Sequence, residues 1–262
     1  MLRRVRANRY VMPFREGGSV PALVEADDLG LYVVKLRGAG QGPRALVAEL
    51  VAGELARLLG LHVPEIVLVT LDRELAASEP DPELCLPLEA SAGLNVGLDY
   101  LPGSIAFDPI VGPPPDPVTA ALTVLFDAFV ANVDRTARNT NLLWWHARLW
   151  LIDHGASLYF HHAWGPAAPL EGSDDPFAEV RHHVLLPWAA NLSRAAEHMV
   201  DTLGGRVFET VVSEIPTAWL EGDSAFASAD RERDAYVQWL NARLTALPVV
   251  LEEAERARAL SV

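Results

Sequence analysis

Asn132-Val133-Asp134-Arg135-Thr136-Ala137-Arg138-Asn139 is the densest polar cluster of the chain, and it follows directly on Val118 to Ala131, a run that is almost wholly apolar. Such a run reads as a buried helix, with Asp116 as its N-cap. Fourteen residues after Asn139 stands Asp153-His154-Gly155, at the end of a strand-like segment, Leu149-Trp150-Leu151-Ile152. Residues 141–153 read as two strands, Asn141 to Trp145 and Leu149 to Asp153, around a short turn. An Asp and an Asn five residues apart on a loop, with another Asp beyond a hairpin, is the arrangement phosphoryl transfer needs. The first Asp orients or deprotonates an attacking hydroxyl, while the Asn and the last Asp hold Mg²⁺ against nucleotide phosphates. Taken singly, Asn132, Asp134 and Asn139 would more often cap a helix or make Asx-turns. The spacing of the whole set carries the reading.

Upstream, Lys35 is the only lysine among 262 residues, and arginine supplies the other 20 of 21 basic side chains. It ends the apolar run Leu31-Tyr32-Val33-Val34-Lys35-Leu36. An ammonium in such a run is costly to desolvate unless an anion partners it. On this run alone, a half-buried strand with Lys35 facing water is an equal alternative. The distant Asp134, Asn139 and Asp153 favour a nucleotide phosphate as the anion, and arginine's wide planar fork would not replace a compact ammonium there.

Strand signals dominate the first hundred residues. Residues 10–37 read as extended, with runs Val20 to Val24 and Leu31 to Leu36 split by the turn Asp27-Asp28-Leu29-Gly30. Pro43 to Leu59 reads as a helix opened by Pro43 and closed by Gly60. Ile66 to Leu71 reads as a strand, Asp72 to Glu83 as a loop and Leu94 to Leu101 as extended. Residues 102–117 hold six prolines and read as a connector. Beyond it, residues 161–176 read as a loop and residues 187–203, 205–214 and 229–258 as helices. The sequence therefore predicts an α+β chain with a strand-rich part over residues 1–99 and a mainly helical part over residues 100–262.

A net charge of −14 argues against broad nucleic-acid binding, which needs a basic surface. The longest apolar runs fall short of the roughly 18 residues of a membrane helix, and Met1 to Tyr10 lacks the apolar core of a signal peptide. A single cysteine, Cys85, allows no internal disulfide and suits a cytoplasmic protein. Gly38-Ala39-Gly40-Gln41-Gly42, between a strand and a helix, offers a rival dinucleotide reading. Its third glycine comes one residue early, however, and no alternating βαβ pattern follows. The histidines, His161-His162, His182-His183 and His146, suggest zinc only weakly, because adjacent histidines diverge and no cysteine cluster assists them. Trp144, Trp145 and Trp150 read as hairpin residues packed on the core.

The set Asn132-x-Asp134-Arg135-x-x-x-Asn139 with Asp153-x-Gly155 resembles the catalytic core of the HipA-like serine/threonine kinases, relatives of the protein kinases and phosphoinositide kinases. Upstream, Lys35, then Ala48-Glu49, then Leu58-Leu59-Gly60-Leu61-His62-Val63-Pro64 resembles the family's nucleotide lysine, helix glutamate and helix end. The likeness spans roughly residues 15–160. It implies a two-lobed, protein-kinase-like fold, with ATP and Mg²⁺ as cofactors and a hydroxyl acceptor, foremost a protein serine or threonine. A small-molecule or lipid alcohol is the second choice of acceptor, and a nucleotide-binding pseudokinase scaffold is the non-catalytic alternative. By the same likeness Lys35 grips the α- and β-phosphates, Glu49 holds Lys35, and Asp134 is the base. Asn139 and Asp153 bind Mg²⁺, Gly17-Gly18-Ser19 covers the phosphates, and Leu98, Asp99, Tyr100 and Leu101 form the hinge against adenine. Glu54 rivals Glu49 as the partner of Lys35, since helical spacing puts Glu54 within the leucine face and Glu49 near its polar edge. Three departures stand out. The glycine loop is not Gly-x-Gly-x-x-Gly, His154 replaces the aromatic of Asp-Phe-Gly, and the chain is shorter than the family's toxins, so toxin behaviour and an antitoxin partner do not carry over.

Overall fold

Val5 and Ala7 point inward while the arginines around them point out, and this alternation makes Arg3–Pro13 a strand, β1. The computed structural model describes residues 1–14, 21–40, 42–78, 81–221 and 224–261. β2 (Ala22–Ala26), β3 (Leu31–Lys35), β4 (Ile66–Leu71) and β5 (Gly93–Asp99) join β1 in a closed barrel of order β1-β2-β3-β5-β4. Closure comes from a parallel pairing of β1 with β4, Arg3 opposite Val67. The sequence pattern missed residues 3–9 as strand because arginine is a weak strand signal. Those arginines find carboxylates on neighbouring segments: Arg3 on Asp28 and Glu65, Arg6 on Asp72, and Arg9 on Glu25.

Val5, Val24, Tyr32, Val34, Val67 and Val69 fill the barrel. A second, larger core starts on α1 (Pro43–Leu58), which is buried nearly all round and packs against β4 and β5 on one side and helices on the other. Fully buried Leu46, Leu50 and Leu55 each contribute about 1.5–3 kcal/mol of apolar transfer. The stretch Asp72 to Glu83 is not a plain loop. It holds a 3₁₀ turn, Arg73–Ser78, and the start of α2 (Pro82–Ala90), a helix that tolerates Pro87 within it.

Past residue 100, a two-residue strand β6 (Ile105–Ala106) lies inside the proline-rich connector and pairs with β7 (Leu142–Trp145), which pairs with β8 (Arg148–Leu151). α3 (Pro117–Phe129) opens on Asp116, which accepts the Thr119 N–H at 2.8 Å, and is buried along most of its length. α4 (Leu192–Leu203) turns Leu192, Ala195, Met199 and Leu203 inward at helical spacing. α5 (Val207–Ser213) and α6 (Thr217–Leu220) follow. The predicted helix over 229–258 is two helices, α7 (Ala229–Thr245) and α8 (Leu247–Ser261). Pro248 accounts for the break, because its ring would clash with the carbonyl four residues back and it has no N–H to donate.

Gly38 has to be glycine. A Cβ there would lie 2.5 Å from Ala90 Cβ and 2.9 Å from the Ala90 carbonyl carbon, where α2 ends against the turn after β3. The Gly38 N–H also donates to Ser91 Oγ at 2.9 Å. Gly38→Ala should lower stability by about 1–3 kcal/mol through overpacking, measured by thermal unfolding.

Candidate active site

β3 ends on Lys35, and its ammonium, only 7% exposed, turns toward the second core. There it donates to Glu49 Oε2 at 2.6 Å and to Asp153 Oδ1. Glu49, on α1, is fully buried, whereas Glu54 pairs with Arg57 at 3.4 Å on a more open face. Burial would push the Lys35 ammonium toward losing its proton, but the Glu49 and Asp153 carboxylates outweigh it and hold its pKa above the usual lysine value. Burial likewise opposes ionisation of Glu49, yet Lys35 and, secondarily, His154 draw its pKa down to about 2. His154 is buried edge-on to Phe126 with Nδ1 3.6 Å from Glu49 Oε1, beyond hydrogen-bond reach.

Asp153 follows β8 with a left-handed φ of 56°, which an aspartate tolerates better than most residues. Asp134 lies in the loop after α3. Its Oδ2 accepts Asn139 Nδ2 at 2.7 Å and Asn141 Nδ2 at 3.3 Å. Burial, and then the like charge of Asp153, raise the Asp134 pKa above the ordinary aspartate value. Asn132 does make the local turn contact expected of an Asx residue, since its Oδ1 accepts the Asp134 N–H at 3.1 Å.

The loop is anchored from below by a buried carboxylate, Asp127, that sequence reading passed over. It receives Arg135 Nε at 2.5 Å, His183 Nε2 at 2.9 Å and Asn132 Nδ2 at 3.0 Å. Despite burial, Arg135 and His183 keep its pKa well below the usual carboxylate range. Arg135 extends the clamp to the carbonyls of Asn141 and Ile152, and Arg243 of α7 caps the end of α3 through the Ala128 and Phe129 carbonyls at 2.8 and 3.1 Å. A lone acid inside an otherwise apolar helix was the available signal for Asp127.

Lys35, Asn139 and Asp153 line one cleft of about 520 Å³, together with Asn141. Leu98, Asp99, Tyr100 and Leu101 form part of its wall, and Phe14 and Pro21 another. Asp134 stands just behind, linked to the cleft through Asn139 and Asn141, and Glu49 lies behind Lys35. The amides of Asp99 and Tyr100 already donate to Glu65 and Leu31 carbonyls at 2.9 Å each. Gly17, Gly18 and Ser19 lie outside the described residues. Among the histidines, His161 bonds Tyr236 at 2.9 Å and His183 bonds Asp127, so both serve packing.

The donor chemistry suits a hard cation. The Asn139 amide nitrogen is committed to Asp134, which leaves its carbonyl oxygen for a ligand, and Asp153 brings a carboxylate to the same cleft. Two oxygen donors with room for water and phosphate oxygens are what Mg²⁺ favours.

A family model described as HipA-like kinase matches residues 9–246. The chain therefore belongs to the HipA-like kinase family and is a phosphotransferase. Among solved structures it is similar to a proinflammatory kinase of Helicobacter pylori, CtkA. The TM-score is 0.58 at 13% identity over 95% of this chain and 96% of that one, a likeness of fold. No curated protein matches it. Among the described residues no helix is long and apolar enough to cross a membrane.

Two outcomes follow from the buried charges. Asp127→Asn should cost about 3–5 kcal/mol in denaturant unfolding, because Arg135 would stay buried without its counter-ion. The folded pKa of Glu49 lies below its ordinary value, so the stability from its pairing is complete above about 4.5 and is lost as pH falls toward about 2. Glu49→Gln should flatten that acid limb in pH-dependent unfolding.

Proposed function

We propose that this chain is an ATP- and Mg²⁺-dependent kinase that transfers the γ-phosphoryl group to a hydroxyl, with a protein serine or threonine as acceptor. The observation that carries this reading is the convergence of Lys35, Asn139 and Asp153 on one cleft, with Asp134 linked to it. The cleft would lie between an N-lobe, residues 1–99, and a C-lobe, residues 100–262. The larger core, which includes α1 as well as α3 and α4, would brace the two against each other. A volume of about 520 Å³ falls in the range of small-ligand pockets.

Bound Mg²⁺ would neutralise developing negative charge on the transferring group. Lys35 would bind the α- and β-phosphates, held at the cleft floor by Glu49. Asn139 and Asp153 would hold the cation, and Leu98 to Leu101 would flank adenine. Along that hinge, the Asp99 and Tyr100 amides are spent on backbone partners, and the Leu101 amide has no backbone partner among the described residues. Asp134 would take the acceptor's proton as the acceptor oxygen bonds to phosphorus and ADP departs with the electrons of the broken P–O bond. A raised pKa suits Asp134 to that task, since a stronger base accepts the proton more readily.

Asp153→Ala is the cleaner test of the cleft. The Asp153 side chain is 38% exposed, whereas removing Lys35 would strand Glu49 as a buried unpaired charge. The parent protein should gain thermal stability in millimolar ATP and Mg²⁺ and should transfer radiolabelled γ-phosphate to itself or to Ser/Thr peptides. Asp153→Ala should fold normally and lose transfer by about 10²–10³-fold. A parent protein unmoved by ATP and Mg²⁺ would overturn the proposal.

A further inference from the structure

Two side-chain amides meet on the same oxygen of Asp134, Asn139 at 2.7 Å and Asn141 at 3.3 Å. A carboxylate held on one oxygen by two donors has its rotation fixed, and its other oxygen, Oδ1, is left for an incoming hydroxyl. Asn139 already has a task as a cation ligand in the reading above. Asn141 has none, yet it is placed with more care than a turn residue needs.

Its backbone is left-handed, φ 49°, a conformation that asparagine enters more readily than most residues. Its carbonyl accepts from the Arg135 guanidinium and from the Ile152 N–H, the latter at 3.0 Å. Arg135 is itself pinned by buried Asp127. The backbone of Asn141 is thus tied to Ile152, the residue before Asp153, while its side chain reaches Asp134 and lines the cleft. No other described residue joins the two acids in this way through hydrogen bonds on both sides.

We propose that Asn141 is a positioning residue for phosphoryl transfer, orienting Asp134 and registering it against the segment that carries Asp153. The inference rests on the reading of Asp134 as the base. A residue that only eased the turn would contribute through its backbone, and any residue that adopts a positive φ would replace it. A residue that orients Asp134 contributes through its amide, and the effect would fall on turnover rather than on nucleotide affinity.

Asn141→Gly separates these, because glycine takes the same φ without strain while the side chain and its amide are lost, and Asn141→Ala removes the amide while keeping Cβ. Asn141→Gly, Asn141→Ala, Asp134→Asn and the parent would be compared for radiolabelled phosphate transfer to themselves and to a degenerate Ser/Thr peptide mixture. Melting would be measured with and without ATP and Mg²⁺. Asn141→Gly should lower kcat by about 10- to 100-fold, the worth of a hydrogen bond to a charged group. The KM for ATP and the ATP-induced melting shift should stay within about twofold of the parent, and a crystal structure should show Asp134 turned off its parent rotamer. Parent-level kcat in Asn141→Gly alongside an inactive Asp134→Asn would overturn this inference and leave the kinase reading standing. A raised KM with kcat unchanged would also overturn it, by making Asn141 a nucleotide contact. An active Asp134→Asn, or a parent without transfer, would remove the base reading and the inference together.

Discussion

The Lys35 ammonium is the point at which three distant parts of the chain have to meet. It is nearly sealed from water, and it stays charged because a carboxylate from α1, 14 residues on, and another from beyond β8, 118 residues on, both reach it. Desolvating one ammonium costs several kcal/mol, and only opposed charges with good geometry repay it. The barrel, the long helix and the hairpin therefore cannot be assembled independently. Loss of Lys35 itself would leave Glu49 as a buried charge without its counter-ion. This constraint also explains why the chain keeps a lysine at this one position, where a compact ammonium can satisfy two carboxylates at once.

A second ionic cluster works at a different level. Asp127 sits inside an apolar helix, and its contacts with Arg135, His183 and Asn132 convert a buried helix into a platform for the loop above it. Hydrogen bonds in a low-dielectric interior are strong, and each one broken there exposes an unsatisfied group, so the cluster resists displacement. Arg243 does similar work at the end of α3 by bonding the carbonyls a helix end leaves open. Burial draws its pKa down to about 10, which leaves it cationic at neutral pH. Asn139 and Asp153 thus reach the cleft from a backbone that is fixed from beneath.

Periodicity in the sequence made much of the fold legible. α1, β4, β5, α3 and the β7–β8 hairpin all follow from apolar spacing and from Pro, Gly and Asp at their ends. The misses have physical causes. Residues 3–9 form strand although arginines crowd them, because charged partners on neighbouring segments accept those arginines. α2 forms across Pro87, against propensity, in a stretch that packs on Gly38. The long helix predicted over 229–258 breaks because Pro248 cannot continue it. The glycines between Gly38 and Gly42 belong to a turn between β3 and α1, and at Gly38 the reason for glycine is the close approach of α2.

The sequence by itself determined which chemical groups are present and in what order: one lysine closing a strand, an Asp and an Asn five apart, and an Asp after a hairpin. Those are local facts, because spacing reports which residues share a turn or a strand. Only the tertiary structure decided which glutamate meets Lys35, that Asp127 anchors the loop, and that Asn141 joins Asn139 on Asp134. Helical spacing left Glu49 and Glu54 as rivals, and packing separated them by burying one completely and leaving the other beside Arg57. Charge pairing between distant segments depends on where the chain folds back, and neither periodicity nor composition carries that information.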